Sequence, residues 1–304
     1  MDPARLRLLR ELGDRGSVAA VAAAMHVSAS AVSQQLAALQ AGIPVPLTVK
    51  SGRRLVLTEA GEALAVAGAR VEEALARARD AVASYLEHDR QPVRISAFHS
   101  AGLTLFGPLL ARLGDELHIS LADADVARSE FPGLTADYDL VVAHRLAHEP
   151  EWPTDRIVAT PLFVEPLDIA LSAAHPLAAL PAIRPEQLRD ERWISTHPGF
   201  PLAGVLEHLG ALSGKAPTID HRINEFFLAA TVVRTGAASA VMPRITAASL
   251  AVDGMVLRPV EGATLVRHVD VLARPDALAR TPVRTVLAEL RRIAAAASES
   301  ASDS

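Results

Sequence analysis

From Leu6 to Leu39 the apolar positions recur at helical spacing, interrupted twice by turn-forming residues. Asp2–Leu12 reads as a first helix with Leu6, Leu9 and Leu12 facing inward, ended by Gly13 and Gly16. Two shorter helices follow across a break of roughly three residues, the arrangement of a helix-turn-helix. Ser17 and Ser28 stand where a hydroxyl can accept from the free N–H groups of a first turn. Val21, Met25, Val27, Val32, Leu36 and Leu39 fall at helical spacing and form the expected shared core. The alanines between them allow the backbones to approach closely.

The pattern then shortens. Val45–Val49 and Leu55–Leu57 are β-prone runs flanking Lys50-Ser51-Gly52-Arg53-Arg54, which reads as a hairpin wing with a basic tip. Thr58 to His88 is one long helix, with Thr58 as cap and with Glu59 and Glu62 complementing the positive end of its dipole. Leu64, Val71, Ala78 and Tyr85 recur every seven residues, and Leu75, Val82 and Leu86 widen that stripe into a coiled-coil-like seam. Ala60, Ala67, Ala74 and Ala81 permit close approach along it. The seam calls for a partner, either a second copy of the helix or the chain's own body.

Asp89-Arg90-Gln91-Pro92 is a linker, after which strands and helices alternate. Strands are expected at Val93–Ala97, His118–Ala122, Asp139–Ala143, Leu162–Ser172, Arg192–Thr196, Ile219–Ile223, Ala238–Met242, Met255–Pro259 and Val269–Ala273. Helices are expected at Leu103–Leu113, with a stripe of Leu103, Phe106, Leu109, Leu110 and Leu113, and at Gly204–Leu212 and Glu225–Thr235. A last helix, Thr281–Ala297, has Pro282 at its first position and a stripe of Val283, Val286, Leu287, Leu290 and Ile293. Ser298–Ser304 is polar and expected to be disordered. Such alternation predicts an α/β body with a largely parallel sheet.

The start of the second short helix is polar: Ser28, Ser30, Ser33, Gln34 and Gln35. A helix of this kind suits a DNA major groove, where serine bonds to several base edges and glutamine can pair at two points with adenine. No Lys or Arg lies between Val18 and Val49, so neutralising phosphates falls to the flanks: Arg5, Arg7, Arg10 and Arg15 before, and Lys50, Arg53 and Arg54 after. Residues 1–58 hold seven Lys/Arg against three Asp/Glu, a head of +4 on a chain whose net charge is −5. That asymmetry is the footprint of a local nucleic-acid surface.

Here the chain resembles the LysR-type transcriptional regulators. The match runs from Leu6 to Ala69 through Gly16-Ser17, Val27-Ser28, Ala31-Val32-Ser33-Gln34-Gln35-Leu36, Leu39, and Arg53-Arg54-Leu55-Val56-Leu57-Thr58-Glu59-Ala60-Gly61. Further on, Asp139-Leu140-Val141-Val142 and His175-Pro176-Leu177-Ala178 match recurrent segments of the family. The chain departs from it at Gln40, Pro44, Thr48 and Lys50, where the family usually has Glu, Gly, Phe and Arg. Pro44 stiffens the turn into the wing, and Thr48 removes an aromatic that packs beneath it.

The resemblance implies a winged helix-turn-helix DNA-binding domain at 1–58 and a linker and dimerisation helix at 59–88. It implies a two-lobed effector-binding domain, like periplasmic binding proteins, at 93–297, with lobe I at 93–160 and 266–297 and lobe II at 161–265. Implied partners are double-stranded DNA, a small-molecule co-inducer of unknown identity, further copies in a homodimer or homotetramer, and RNA polymerase; no other cofactor is expected. Ligands of open α/β sheets sit beyond the carboxyl ends of strands, here at the loops Phe98-His99-Ser100-Ala101-Gly102 and Ser195-Thr196-His197-Pro198-Gly199-Phe200. The family alignment sets Ser100 and Thr196 toward the effector. His99, His197, His144 and Phe226 are further candidates for that site.

Composition narrows the alternatives. Half the residues are apolar and there is no cysteine, which excludes disulfides, thiolate metal sites and the thiol switch of peroxide-sensing relatives. Neither a secretory signal nor a membrane-length apolar run stands out, so the cytoplasm is the expected compartment. Tryptophan and tyrosine number two each, too few for stacking along single strands. His144 and His148, four apart with Glu149 beside them, could share a metal on a helical face, although solvated loop histidines are the ordinary reading, and no metal is expected. Gly210-Ala211-Leu212-Ser213-Gly214-Lys215 is one residue short of a phosphate loop, and Ala216 replaces its Ser/Thr. No nucleophile elbow occurs, and no enzyme activity is expected. Two other functions compete: a constitutive DNA-binding protein whose α/β half only oligomerises, and an enzyme or solute-binding module that uses its head to dimerise.

Overall fold

The computed structural model describes residues 1–52, 54–83, 91–200, 202–248 and 254–302. Its head consists of α1 (Pro3–Arg15), α2 (Val18–Met25), α3 (Ala29–Gln40), β1 (Thr48–Ser51) and β2 (Arg54–Leu57). Each helix starts on a side chain that satisfies an orphan N–H: Asp2 for α1, Ser17 for α2 and Ser28 for α3. Gly16, at φ 69°, ends α1 in the left-handed region. His26, at φ 54°, does the same for α2 without a glycine's freedom.

Leu6, Leu9, Leu12, Val21, Val32, Leu36, Leu39 and Leu47 form the head's core. Val27, expected in that core, is exposed, because it follows the left-handed His26 and is carried outward by the turn. Gln40 explains its own departure from the family. Its Nε2 donates to the carbonyls of Ile43 and Val45 at 3.1 and 2.9 Å, and its Oε1 accepts from Leu47 N–H at 2.8 Å. A glutamate could make only the last of these bonds.

The linker helix α4 (Glu59–Ala83) leaves the wing so tightly that a Cβ on Gly61 would come 2.0 Å from the Leu47 carbonyl oxygen. One face of α4, with Ala65, Gly68, Ala69 and Glu72, packs on its own chain: Ala65 and Ala69 are buried, a Cβ on Gly68 would meet Leu6 at 3.2 Å, and Glu72 pairs with Arg10. The small residues that permit close approach within the chain are therefore these, rather than Ala67, Ala74 and Ala81, which are exposed. The seam residues Val71, Leu75, Ala78 and Val82 are exposed on the outer side. Tyr85 and Leu86 lie outside the described residues.

The body contains β3 (Val93–Ala97), α5 (His99–Leu113), β4 (Ile119–Asp123), the short α6 (Phe131–Leu134), β5 (Leu140–Leu146), β6 (Val158–Ser172), β7 (Arg192–Ser195), α7 (Val205–Ser213), β8 (Thr218–Arg222), α8 (Phe226–Arg234), β9 (Ser239–Pro243), β10 (Met255–Arg258), β11 (Val266–Ala273), α9 (Pro275–Leu278) and α10 (Thr281–Ser302). Among the described residues the strands form one nine-stranded sheet, β4-β3-β5-β11-β6-β9-β7-β8, with β10 also paired to β6. The expected largely parallel sheet is in fact mixed. β3 pairs in parallel with β4 and β5, and β7 with β8 and β9, whereas β11 and β6 run antiparallel to their neighbours. β6 crosses into lobe II against that lobe's strand direction, and β11, which begins just past the return crossing, enters lobe I against its direction.

β6 pairs with β11 from Val158 to Pro166, then with β9 from Leu167. The passage between lobes thus lies near Pro166 and Leu265, and the expected division at Thr160 falls inside the segment paired to β11. Lobe I is built on Ile95, Leu105, Leu140, Val271, Val286 and Leu290, and lobe II on Ile169, Trp193, Leu206 and Val241. On α5 the buried stripe is Ala101, Leu105 and Leu109, while Leu103 and Leu110 face outward. The helix begins at His99, earlier than expected. Of the tail expected to be disordered, residues 298–302 instead extend α10, where the Ser298 and Ser300 hydroxyls donate to the carbonyls of Ala294 and Ala296; Asp303 and Ser304 lie outside the described residues.

Candidate functional site

Ser28, Ser30, Ser33, Gln34 and Gln35 all lie on the exposed side of α3. They are not equally uncommitted. The Ser28 hydroxyl accepts from Ala31 N–H and shares a hydrogen with Ser30 at 2.9 Å. Ser33 donates to Ala29 O, which leaves its oxygen lone pairs outward. Gln35 Oε1 accepts from Arg5 Nε at 3.0 Å, so Arg5 orients this glutamine. Gln34 stands exposed at the middle of the row. Lys50 and Arg54 are exposed on the wing, and Arg53 lies outside the described residues.

Arg10 and Arg15, expected on phosphates, are elsewhere. The side of α1 that bears them is covered by α4 and by the body. Arg10 is 2% exposed and pairs with Glu72 at 2.5 Å and Asp276 at 3.0 Å. Arg15 bonds to Glu11 at 2.7 Å and reaches Asp137 of lobe I at 2.8 Å. From the body, Arg274 bonds to Glu11 at 2.7 Å and Asp14 at 2.5 Å, and Arg156 to Asp14 at 3.0 Å. This is a joint between head and lobe I. Burial alone would raise the Glu11 carboxyl, but Arg274, Arg15 and Arg10 outweigh it and hold it at about 2. Glu72 moves the other way: its burial, with Asp276 nearby, overrides Arg10 and pushes it up.

A cavity lies between the lobes, with roughly 360 Å³ of space including its mouth. Lobe I lines it with Phe98, His99, Ser100, Asp125 and His144, and lobe II with Thr196, Phe200, Asn224, Glu225 and Phe226. Arg267 forms its floor. The β6–β11 register sets Arg267 directly opposite Glu165, and both are almost fully buried. Arg267 Nε donates to Glu165 Oε2 at 2.7 Å, and its Nη2 donates to Ser100 Oγ at 3.0 Å and Thr246 Oγ1 at 2.7 Å. Its guanidinium also lies 4.8 Å over the Phe98 ring. Glu165 Oε1 accepts from the N–H groups of Ile245 and Thr246. The pair is thus desolvated but bonded through Nε, Nη2 and both carboxylate oxygens, with Nη1 3.5 Å from His144 Nδ1, and such bonds are what a buried ion pair requires to persist.

The other charged groups differ. His144, buried beside Arg267, is driven well below its ordinary value by desolvation and that cation, and stays neutral. Asp125 is raised by burial, with His99 and Arg267 opposing and Glu225 adding to the rise. His99 Nε2 bonds to Asp123 at 2.7 Å. Glu225 caps α8 through Phe227 N–H, whereas α5 begins at Phe98 with no side-chain cap. Thr196 Oγ1 is buried without a partner among the described residues.

Of the six residues expected at an effector site, Ser100, Thr196, His99, His144 and Phe226 line this cavity. His197 does not: it precedes the turn at Gly199, is exposed, and has its backbone N–H held by Asn224 Oδ1 at 2.8 Å. Sequence reading missed Arg267, Glu165, Asp125 and Glu225. One signal was present: Glu165 interrupts the expected apolar run Leu162–Ser172 with a charge.

His144 and His148 share no helical face, since β5 ends at Leu146 and His148 stacks on His208 at 6.5 Å. Among the described residues no cluster of His, Cys, Asp and Glu could hold a metal. Gly210–Lys215 is the end of α7, closed by Gly214 at φ 76°, with Lys215 paired to Asp190. Among the described residues no helix is long and apolar enough to cross a membrane.

Two family models match the chain: "Bacterial regulatory helix-turn-helix protein, lysR family" over residues 3–62, and "LysR substrate binding domain" over residues 86–295. The HTH-type transcriptional regulator GbpR of Rhizobium radiobacter is 25% identical over 226 residues, 69% of this chain and 70% of that protein. A probable RuBisCO transcriptional regulator of Synechocystis sp. is 22% identical over 279 residues, 90% of this chain and 80% of its own. Among solved structures, a cysteine variant of full-length OxyR from Pseudomonas aeruginosa shares the fold with a TM-score of 0.68 and 19% identity, covering 97% of this chain and 94% of that one. Full-length CbnR complexed with its target DNA does so with a TM-score of 0.52 and 21% identity, covering 97% and 100%.

Proposed function

The chain belongs to the LysR family of DNA-binding transcriptional regulators, and from that premise we propose that it reads DNA through α3 and its wing and responds to a small molecule held between its lobes. The observation that carries the sensing half is the placement of the cavity over the two crossover strands. A ligand touching Ser100 and Thr196 touches both lobes, so its binding free energy differs between open and closed arrangements. That difference is what a ligand needs to shift a conformational equilibrium. Base contacts fall to Ser30, Ser33, Gln34 and Gln35, with Ser28 fixing the helix start, and phosphate contacts to Lys50, Arg54 and Arg53.

The exposed stripe Val71, Leu75, Ala78 and Val82 supports docking of a second copy along α4, since a lone helix gains little from an apolar outer face. Two heads related by a two-fold axis match a two-fold DNA site. The expected site of action is the cytoplasm, with contact to RNA polymerase from the DNA-bound assembly. A constitutive binder would have no use for a cavity lined by polar groups from both lobes. The deciding experiment is a gel shift of the full chain on its own upstream region, with and without a metabolite extract. The expected result is retention of DNA and an altered shift with extract. Retention unchanged by any metabolite pool would remove the sensing half, and no retention at low salt would remove the whole reading.

A further inference from the structure

We propose that the effector presents a positively charged nitrogen, of the alkylammonium class, to Asp125 of lobe I and Glu225 of lobe II. This rests on the reading of the inter-lobe cavity as the sensory site, and concerns the sign of the charge that site selects.

The argument is one of electrostatic balance. The cavity lining contains a single permanent cation, Arg267, and its charge is already answered. Glu165 sits directly across the ladder at 2.7 Å, and Ser100 and Thr246 take its remaining donors on Nη2. Both members of that pair are almost fully out of water, so breaking it to serve a ligand anion would strand Glu165. His144 stays neutral, as its burial and the adjacent guanidinium dictate. His99 is bonded to a carboxylate of its own, Asp123. That leaves Asp125 and Glu225, half-buried on opposite lobes, as the lining carboxylates without an ion pair among the described residues, His99 and Arg267 acting on Asp125 only from beyond contact.

These two carboxylates feel each other across the gap, since Glu225 adds to the upward displacement of Asp125. Glu225 gives one oxygen to the Phe227 N–H and keeps the other. An ammonium between them would satisfy both lobes at once. It could also donate a third hydrogen bond to the Thr196 hydroxyl oxygen, which is buried without a partner among the described residues. Without such a cation, like charges oppose closure of the cleft; with one, the repulsion becomes attraction across it. A carboxylate ligand would meet Asp125 and Glu225, with only Arg267, already paired to Glu165, to offset them.

The test uses the full chain, its melting temperature and calorimetric titration. The probes are putrescine and L-lysine on one side, and succinate and benzoate on the other. The expected result is stabilisation by the amines at millimolar concentration and none by the acids. Affinity for the amines should fall at least tenfold in Asp125→Asn and in Glu225→Gln, the latter keeping an oxygen to cap α8. A preference for L-lysine over putrescine would add a carboxylate on the same molecule, facing the uncapped start of α5. Stabilisation by succinate or benzoate but not by the amines would overturn the charge assignment and leave the sensory cavity standing. Amine binding that survives both substitutions would overturn it too. If neither class stabilises the chain, the charge assignment falls, and the gel shift with metabolite extract alone decides the sensory reading.

Discussion

The face of α3 and the cavity between the lobes are constructed in opposite ways. The first is contiguous: Ser28 to Gln35 lie within one capped helix, exposed, with most of their bonding capacity turned outward. The second is assembled from segments as distant as Ser100 and Arg267, and its central charges are buried and already bonded to each other. A surface that reads a large external partner needs only a rigid helix behind it. A site that must respond to a small molecule draws its lining from both lobes, and the buried charges of its floor are paired with each other.

The contrast predicts where substitutions will be felt. Glu165→Ala should cost about 3–5 kcal/mol of stability, because it strands the buried Arg267 charge. The paired change Glu165→Leu with Arg267→Met should cost far less. Urea denaturation of the three proteins checks this, and equal losses in single and double variants would break the account of the floor. In the joint between head and body, acid should act through Glu11. Its carboxyl is held at about 2, so the stability it contributes is fully present above its unfolded value and is lost as pH falls toward 2. A shift of that size corresponds to roughly 3 kcal/mol as an upper bound. Glu72, raised in the folded state, is relieved by the same protonation and reduces the net loss. Glu11→Gln should therefore flatten the acid side of a stability–pH profile measured from pH 7 to pH 2.5.

On the reading face the effect belongs to DNA rather than to stability. Gln34→Ala should cost about 1–3 kcal/mol at one base position and leave the melting temperature unchanged. Arg54→Ala should weaken all sequences alike and lower the salt dependence by about one counterion. Gel shifts over a set of single-base operator variants, repeated at three salt concentrations, separate the two. The smallest change is stabilising. His26→Gly should gain about 1 kcal/mol by relieving a left-handed backbone, with DNA preference unaltered.

The head was legible because its determinants are local. Ser17 and Ser28 cap the helices they announce, and the exposed polar row of α3 is a property of one helix. Arg10 and Arg15 misled for the complementary reason. In sequence they belong to a basic flank, and only the approach of Arg274 and Asp276, some 260 residues away, turns that flank into a joint. The alternation of strands gave the α/β body, but not the direction of β6 and β11, which follows from crossing between lobes. The floor of the cavity stayed hidden because the strand carrying Arg267 was expected to begin at Val269, leaving the arginine outside it. Ser100 and Thr196 were found through family resemblance; Asp125 and Glu225 have no local mark that separates them from any solvated carboxylate.

The joint between head and body has a chemical corollary. Its cations are Arg10, Arg15, Arg156 and Arg274, and the chain's two lysines are Lys50 and Lys215. A guanidinium is neither discharged by mild alkali nor consumed by reagents that acylate amines. Lysine acylation would therefore pass over the joint. It would reach Lys215 on the far lobe, and on the wing it would erase a single positive charge, that of Lys50 in β1.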